Sequence, residues 1–228
     1  MAKRQFFITG TDTDAGKTLI TQGLLEKANQ AGLQTIGLKP VAAGCESSEE
    51  GLRNSDALFL QQAASIKLSY AEVNPFALEP PIAPHLAALE VGKRLSAERI
   101  AAVCRGAMMT KYDFLLVEGA GGWRVPLNER ETFARVPALL NMPVILVVGM
   151  KLGCINHAML TAEAILRDGL EIAGWVANRV DPNMERYEGN VDTLKHVFRF
   201  PLLGEVPYLE DRSAASVAKF LDISVLLE

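Results

Sequence analysis

The stretch Gly10-Thr11-Asp12-Thr13-Asp14-Ala15-Gly16-Lys17-Thr18 sets two glycines, a lysine and a hydroxyl between a short apolar run, Phe6 to Thr9, and a segment of helical character. That combination suits the phosphates of a nucleotide. Backbone N–H groups of such a loop wrap phosphate oxygens, the positive end of the following helix favours negative charge, and a lysine adds a full charge. Lys17 is therefore a candidate phosphate contact, and the Thr18 hydroxyl a candidate Mg²⁺ ligand. Five residues separate Gly10 from Gly16, one more than in the common G-x-x-x-x-G-K-S/T spacing, and Thr11 holds the usual first-glycine position. An isolated G-K-T can also be an ordinary helix start, but strand, glycines and helix in succession favour a nucleotide site.

A second half of such a site needs an acidic residue at the end of another strand, and Phe114-Leu115-Leu116-Val117-Glu118 supplies one. Glu118 can hold a magnesium ion directly or through water. The following Gly119-Ala120-Gly121-Gly122 lets backbone approach a ligand, or simply makes a tight turn above the sheet. Lys39 is kept extended by Pro40 at the same level. Its ammonium can meet a transferred phosphoryl group or an acidic substrate, and a solvated surface lysine explains the sequence equally well. Asp56, in Asn54-Ser55-Asp56, reads first as a helix first-turn residue favoured by the dipole, and second as a further metal-side carboxylate.

Placing these residues together requires a sheet. Apolar runs of strand length recur at Phe6 to Thr9, Thr35 to Leu38, Phe114 to Val117, Val144 to Val148, Ile172 to Ala177 and Leu202 to Val206, with helix-length segments between most of them. Several runs are apolar throughout, as strands covered on both faces are. The expected fold class is α/β, a doubly wound, mostly parallel sheet with helices on both faces. The first helix is expected from near Gly16 to about Ala31, with Leu19, Leu24, Leu25 and Ala28 as its apolar stripe and Gly32 as its stop. The roughly seventy residues between the second run and Phe114 are long for one crossover and call for several helices. Within them, Cys45 to Asn54 reads as a mobile polar loop, and Asn74 to Pro84, with four prolines, as irregular extended chain. Nothing marks a domain boundary, so residues 1–228 are expected to form one domain.

Charge and composition remove other classes. With 23 basic and 27 acidic residues among 228, a net charge of −4, the chain has no general attraction for nucleic acid. Its longest apolar stretch, Val144 to Val148, is far shorter than the roughly 18 residues of a membrane span. Lys3 and Arg4 precede too few apolar residues for a signal peptide, so a cytoplasmic location is expected. The three cysteines, Cys45, Cys104 and Cys154, are far apart and expected to stay reduced. His85, His157 and His196 are not spaced as metal ligands and read as structural or surface residues.

Taken together, G-T-D-T-D-A-G-K-T at 10–18, L-K-P-V at 38–41, G-L-R-N-S-D-A at 51–57, V-E-G-A-G-G-W at 117–123, V-V-G-M-K-L-G-C-I-N-H at 147–157 and G-W-V-A-N at 174–178 resemble the dethiobiotin synthetases. The likeness runs from Phe7 to about Leu209 and implies a fold similar to other P-loop NTPases. It also implies a homodimer that closes a cyclic urea from 7,8-diaminopelargonate, CO₂ and ATP with Mg²⁺. Residue by residue, it makes Asp14, Ala15, Gly16, Lys17 and Thr18 the phosphate contacts. Asn178 with Pro207, Tyr208 and Leu209 would hold the base, and Thr18, Asp56 and Glu118 the magnesium. Lys17, Lys39 and Thr13 are the implied catalytic groups, with Thr13 and Lys39 beside the diamine and its carbamate. Lys151, Leu152, Gly153, Cys154, Ile155, Asn156 and Asn190, with Tyr187 less directly, would bind the substrate carboxylate from the partner subunit. From the residues alone, the 151–157 segment is also an ordinary strand-to-helix turn.

Two departures stand out. Ala43 occupies a position where the family often has a hydroxyl, and Asn178-Arg179-Val180-Asp181 has the polar layout of the guanine-reading N-K-x-D with Arg for Lys. ATP thus follows from the resemblance, and the bare residues leave the base open. The alternatives are a P-loop switch ATPase or GTPase that positions a partner, and an amide ligase using free ammonia. The first is weakened because no additional lysine lies between Thr9 and Gly16. A binding module with a dead nucleotide site is disfavoured by the presence of Lys17, Thr18 and Glu118.

Overall fold

The computed structural model describes residues 4–228. In chain order the elements are β1 (Arg4–Gly10), α1 (Lys17–Gln30), β2 (Thr35–Leu38), β3 (Val41–Ala42), β4 (Glu46–Ser48), β5 (Gly51–Arg53), α2 (Ser55–Ala63), α3 (Tyr70–Val73), β6 (Phe76–Ala77), α4 (Pro84–Glu90) and α5 (Ala97–Ala107). They continue with β7 (Phe114–Glu118), α6 (Arg135–Leu140), β8 (Val144–Met150), α7 (Cys154–Arg167), β9 (Ile172–Arg179), α8 (Tyr187–Val197), β10 (Leu202–Val206), α9 (Ala214–Ala218) and α10 (Ser224–Leu227). Among the described residues, six strands form one sheet in the order β10-β9-β8-β1-β7-β2. Every neighbouring pair is parallel.

Successive strand residues point to opposite faces, and both faces are apolar. Phe6, Ile8, Phe114, Leu116, Ile145 and Val147 pack with Ile20, Leu24 and Leu25 of α1 and Val217 of α9. Phe7, Leu115, Val117, Leu146 and Val148 face the other way, into a core shared with Ile100 of α5, Ile165 of α7 and Leu194 of α8. The doubly wound α/β expectation is met, and each of the six anticipated runs is a strand of this sheet. Strand order reverses at β1, whose neighbours β7 and β8 come from far along the chain. Ligands of such sheets bind beyond the carboxyl ends of the strands at that reversal. Here β1 ends in the 10–18 loop, β7 ends at Glu118, and β8 leads into Lys151.

The expectation of a mobile loop at Cys45 to Asn54 is corrected. This segment is an antiparallel hairpin, with Glu46 opposite Arg53 and Ser48 opposite Gly51. Its strands are three residues each with Leu52 as the single large apolar side chain, so no apolar alternation announces them, and Gly51, at φ 98°, takes the left-handed conformation beside the turn. The Asn74 to Pro84 stretch is mostly irregular as expected, but contributes β6, paired parallel with β3, and ends with Pro84 opening α4. None of the helices among the described residues is long and apolar enough to cross a membrane.

Candidate active site

The 10–18 loop is tied to two strands. Thr11 N–H donates to the Val147 carbonyl at 3.0 Å, and Gly149 N–H donates to Thr11 Oγ1 at 3.2 Å. Asn178, at the end of β9 and buried, donates through Nδ2 to the Ala15 carbonyl at 2.9 Å. Gly16 caps α1 at φ 85°, and an added Cβ there would lie 2.0 Å from Asn178 Nδ2, so position and backbone both require glycine. The first turn of α1 carries no acidic residue and no side-chain cap, leaving its N–H groups to an external anion.

Lys17 follows, largely buried, with Nζ 3.3 Å from the Asp12 carbonyl. Burial, and next the like charge of Lys39, bring its ammonium down from the ordinary 10.5 to about 8. Glu118 is fully buried and accepts from Thr18 Oγ1 and Thr21 Oγ1, each at 2.8 Å, and from Lys39 Nζ. Lys39 Nζ also donates to Asp56 Oδ2 at 3.1 Å and to the Gly119 carbonyl at 3.3 Å. Burial alone would depress the Lys39 ammonium, but Glu118 and then Asp56 outweigh it and hold the group above its ordinary value. Asp56 lies in the first turn of α2, as its first reading has it, and its carboxylate meets Lys39 Nζ.

Lys39 Nζ thus joins the two carboxylates of Asp56 and Glu118, and the Thr18 hydroxyl donates to Glu118, which brings a hydroxyl and two carboxylates together. Hard oxygen donors, few in number and next to a phosphate loop, are what magnesium takes, the remaining ligands being water and phosphate. The residues therefore fit Mg²⁺. They do not form a site of three or more Asp, Glu, His or Cys, and among the described residues no such cluster occurs.

A cavity of about 1400 Å³ lies over this cluster, lined by Thr13, Asp14, Gly16, Lys17, Thr18, Lys39, Asp56, Lys151, Asn178, Pro207, Tyr208 and Leu209. It runs from residues that follow the edge strand β10 to Ala42, Ala43 and Asn54 on the β2 side, so a nucleotide and a second molecule can lie end to end along the sheet. Asp181 does not line it, and its Oδ1 accepts from Asn183 N–H at 2.9 Å. Within one chain, Leu152, Gly153, Cys154, Ile155, Asn156 and Asn190 also lie outside the cavity lining. Leu152 is 95% exposed, while Cys154 is buried with its thiol 3.9 Å from Asn190 Oδ1. Lys151 links the two regions, with Nζ 3.4 Å from Asp12 Oδ2.

Several participants carry no role in the sequence reading. Thr21 is a polar residue four positions after Lys17 on the buried side of an otherwise apolar stripe, and that placement was the available signal. Asp12 braces the loop by accepting from Thr13 N–H at 2.8 Å. Arg124, after the glycine turn, lines the cavity and is paired through both terminal nitrogens with Asp168.

Residues 4–216 match the protein family described as an AAA domain. Among solved structures, the septum site-determining protein MinD of Pyrococcus horikoshii, in complex with Mg-ADP, superposes with a TM-score of 0.58 at 18% identity, covering 96% of this chain and 94% of that one. This likeness concerns the fold alone. Over 228 residues the chain is 56% identical to the ATP-dependent dethiobiotin synthetase BioD of Cellvibrio japonicus, covering all of both sequences. It is 52% identical to the protein of that name from Marinobacter nauticus, again over the whole of both. With its long phosphate loop and its lysine-bridged carboxylates in place, the chain belongs to the ATP-dependent dethiobiotin synthetase family.

Proposed function

We propose that the protein, acting as one domain per subunit, closes the ureido ring of dethiobiotin from 7,8-diaminopelargonate, CO₂ and ATP, releasing ADP and phosphate. The observation that carries this reading is the pair of buried ammonium groups, Lys17 and Lys39, set against Glu118 and Asp56 in a cavity with room for a nucleotide and a second substrate. An uncharged amine of the substrate adds to CO₂ and sheds a proton, giving a carbamate. A carbamate oxygen then takes the γ-phosphoryl group of ATP, forming a mixed anhydride and ADP. The second amine attacks the anhydride carbonyl, and phosphate leaves as the ring closes. The crowded step is the second, where carbamate and phosphate oxygens meet. Lys17 and Lys39 offset that charge from fixed positions, and Thr13 lies at the cavity wall beside them. Thr18, Asp56 and Glu118 would hold a Mg²⁺ ion, which would further neutralise the phosphate oxygens. The final step needs little beyond proximity of the two amines.

The expected result is phosphate release that requires both the diamine and CO₂ or bicarbonate, and that EDTA abolishes. Nucleotide hydrolysis indifferent to diamine and CO₂ but stimulated by a protein or membrane partner would establish the switch reading instead. Asn178 leaves its side-chain oxygen available to the adenine amino group, while Asp181 is engaged in its own turn. kcat/KM is accordingly expected to favour ATP over GTP by at least about tenfold, the worth of one well-formed hydrogen bond to the base. Equal values for the two nucleotides would overturn this assignment of Asn178. The reading includes Asp14 to Thr18 on the phosphates, Pro207 to Leu209 against the base, a homodimer, and a carboxylate site built from residues 151–156 and Asn190 of the partner. A cytoplasmic location accords with three free, buried cysteines.

A further inference from the structure

Behind the Lys39–Asp56 contact runs a chain of polar groups with no place in the chemistry above. Asn74, 3% exposed, donates through Nδ2 to the Lys39 carbonyl at 2.6 Å. Its Oδ1 accepts from the Tyr70 hydroxyl at 3.0 Å, and that hydroxyl accepts from Asn54 N–H at 2.8 Å. Asn54 is the N-cap of α2, its Oδ1 accepting from Ala57 N–H, so the chain ends at the helix turn that carries Asp56. Lys39 N–H is held as well, by the Val73 carbonyl at 3.0 Å, and the Arg53 guanidinium lies 4.2 Å above the Tyr70 ring. The Tyr70 hydroxyl both donates and accepts, and both polar atoms of the Asn74 carboxamide have a partner, the condition under which a polar network rigidifies instead of destabilising.

Such a network fixes the backbone of Lys39 against the first turn of α2, two segments 17 residues apart in sequence. The Lys39 side chain now rests between the two carboxylates, and to meet a carbamate it must turn about that backbone. A fixed pivot lets it do so without losing its register to Asp56. We propose that Tyr70 and Asn74 are positioning residues for Lys39, setting where its ammonium stands during phosphoryl transfer. This rests on the assignment of Lys39 to that step.

Tyr70→Phe removes one oxygen and leaves the ring and its guanidinium stack in place. Partners that orient a group at a site typically contribute about 10- to 100-fold. The expected result is a kcat lowered about 10- to 100-fold with KM for ATP within about twofold of the parent, since the phosphate loop is untouched. Asn74→Leu is expected to behave alike; should it fail to fold, Tyr70→Phe alone decides. The discriminating measurement is a single-turnover rate, enzyme in excess over ATP, in Lys39→Ala and in Lys39→Ala/Tyr70→Phe. A positioning role predicts equal rates in these two within about threefold, because Tyr70 then has nothing left to position. A further loss of 10-fold or more on the Lys39→Ala background, an undetectable rate included, would overturn the inference, as would a Tyr70→Phe enzyme with the parent kcat. A parent enzyme showing no diamine- and CO₂-dependent turnover would instead remove the functional reading itself.

Discussion

Lys17→Ala is expected to lower kcat by about 10²- to 10³-fold, the usual cost of losing one preorganised charge aimed at a transition state. The chain should remain folded. Lys17 opens α1, alanine is the best helix former, and the apolar contacts of Ile20, Leu24 and Leu25 are unchanged. Stability should if anything rise at neutral pH, and the sign follows from the titration of the ammonium. In the unfolded chain the group binds its proton with the ordinary pKa of 10.5, in the folded chain with about 8. The folded state therefore disfavours the charged form, a cost fully present below pH 8 and relieved as pH rises from 8 towards 10.5. Removing the group removes the cost, so the melting temperature at pH 7 is expected to stay or increase while turnover collapses. Phosphate-release kinetics beside a thermal melt check both halves. A folded variant turning over within threefold of the parent would take Lys17 out of phosphoryl transfer.

The opposite movements of stability and activity reflect how the site was assembled, and how far it could be read in advance. The phosphate loop was legible because its parts are contiguous: strand, glycines, lysine and helix follow one another from Phe6 to Gln30. The six sheet strands were legible because burial on both faces makes each a dense apolar run, such as Val144–Met150. What sequence could not supply is the meeting of Lys39 with Glu118, 79 residues apart. That contact exists because β7 inserts between β1 and β2, and strand order is not encoded in any local pattern. Thr21 was missed for the same reason, its partner Glu118 lying 97 residues away. The β4–β5 hairpin was missed for another: short, mostly polar and with one large apolar residue, Leu52, it is held by pairing and a glycine turn, with no apolar alternation to announce it.

The second large effect concerns the residues that stand outside the cavity of their own chain. The loop before α7 has the features of an anion site: Gly153 caps the helix at φ 91°, no acidic residue lies in the first turn, and no side chain caps it. Yet Leu152 projects into solvent, and residues 152–156 do not line the cavity of the chain that carries them. A substrate whose carboxylate is several methylenes from its amines needs a second anchor beyond reach of the phosphate loop. A homodimer supplies it if this loop enters the partner's cavity. Leu152→Glu places a charge there that repels a carboxylate, and with Leu152 so exposed the change removes little packing. Both Leu152→Glu and Lys17→Ala dimers are then inactive. In a mixed dimer, one site pairs the intact phosphate loop of the Leu152→Glu subunit with the intact 152 loop of the Lys17→Ala subunit, while the other site carries both lesions. Equal mixing with free exchange makes half the dimers mixed, each with one working site, so activity is expected to return to about a quarter of the parent level. Exchange demonstrated with differently tagged subunits but without any recovery would show that each site is built within one chain. A monomer active at assay concentration would remove the dimer from the reading as well.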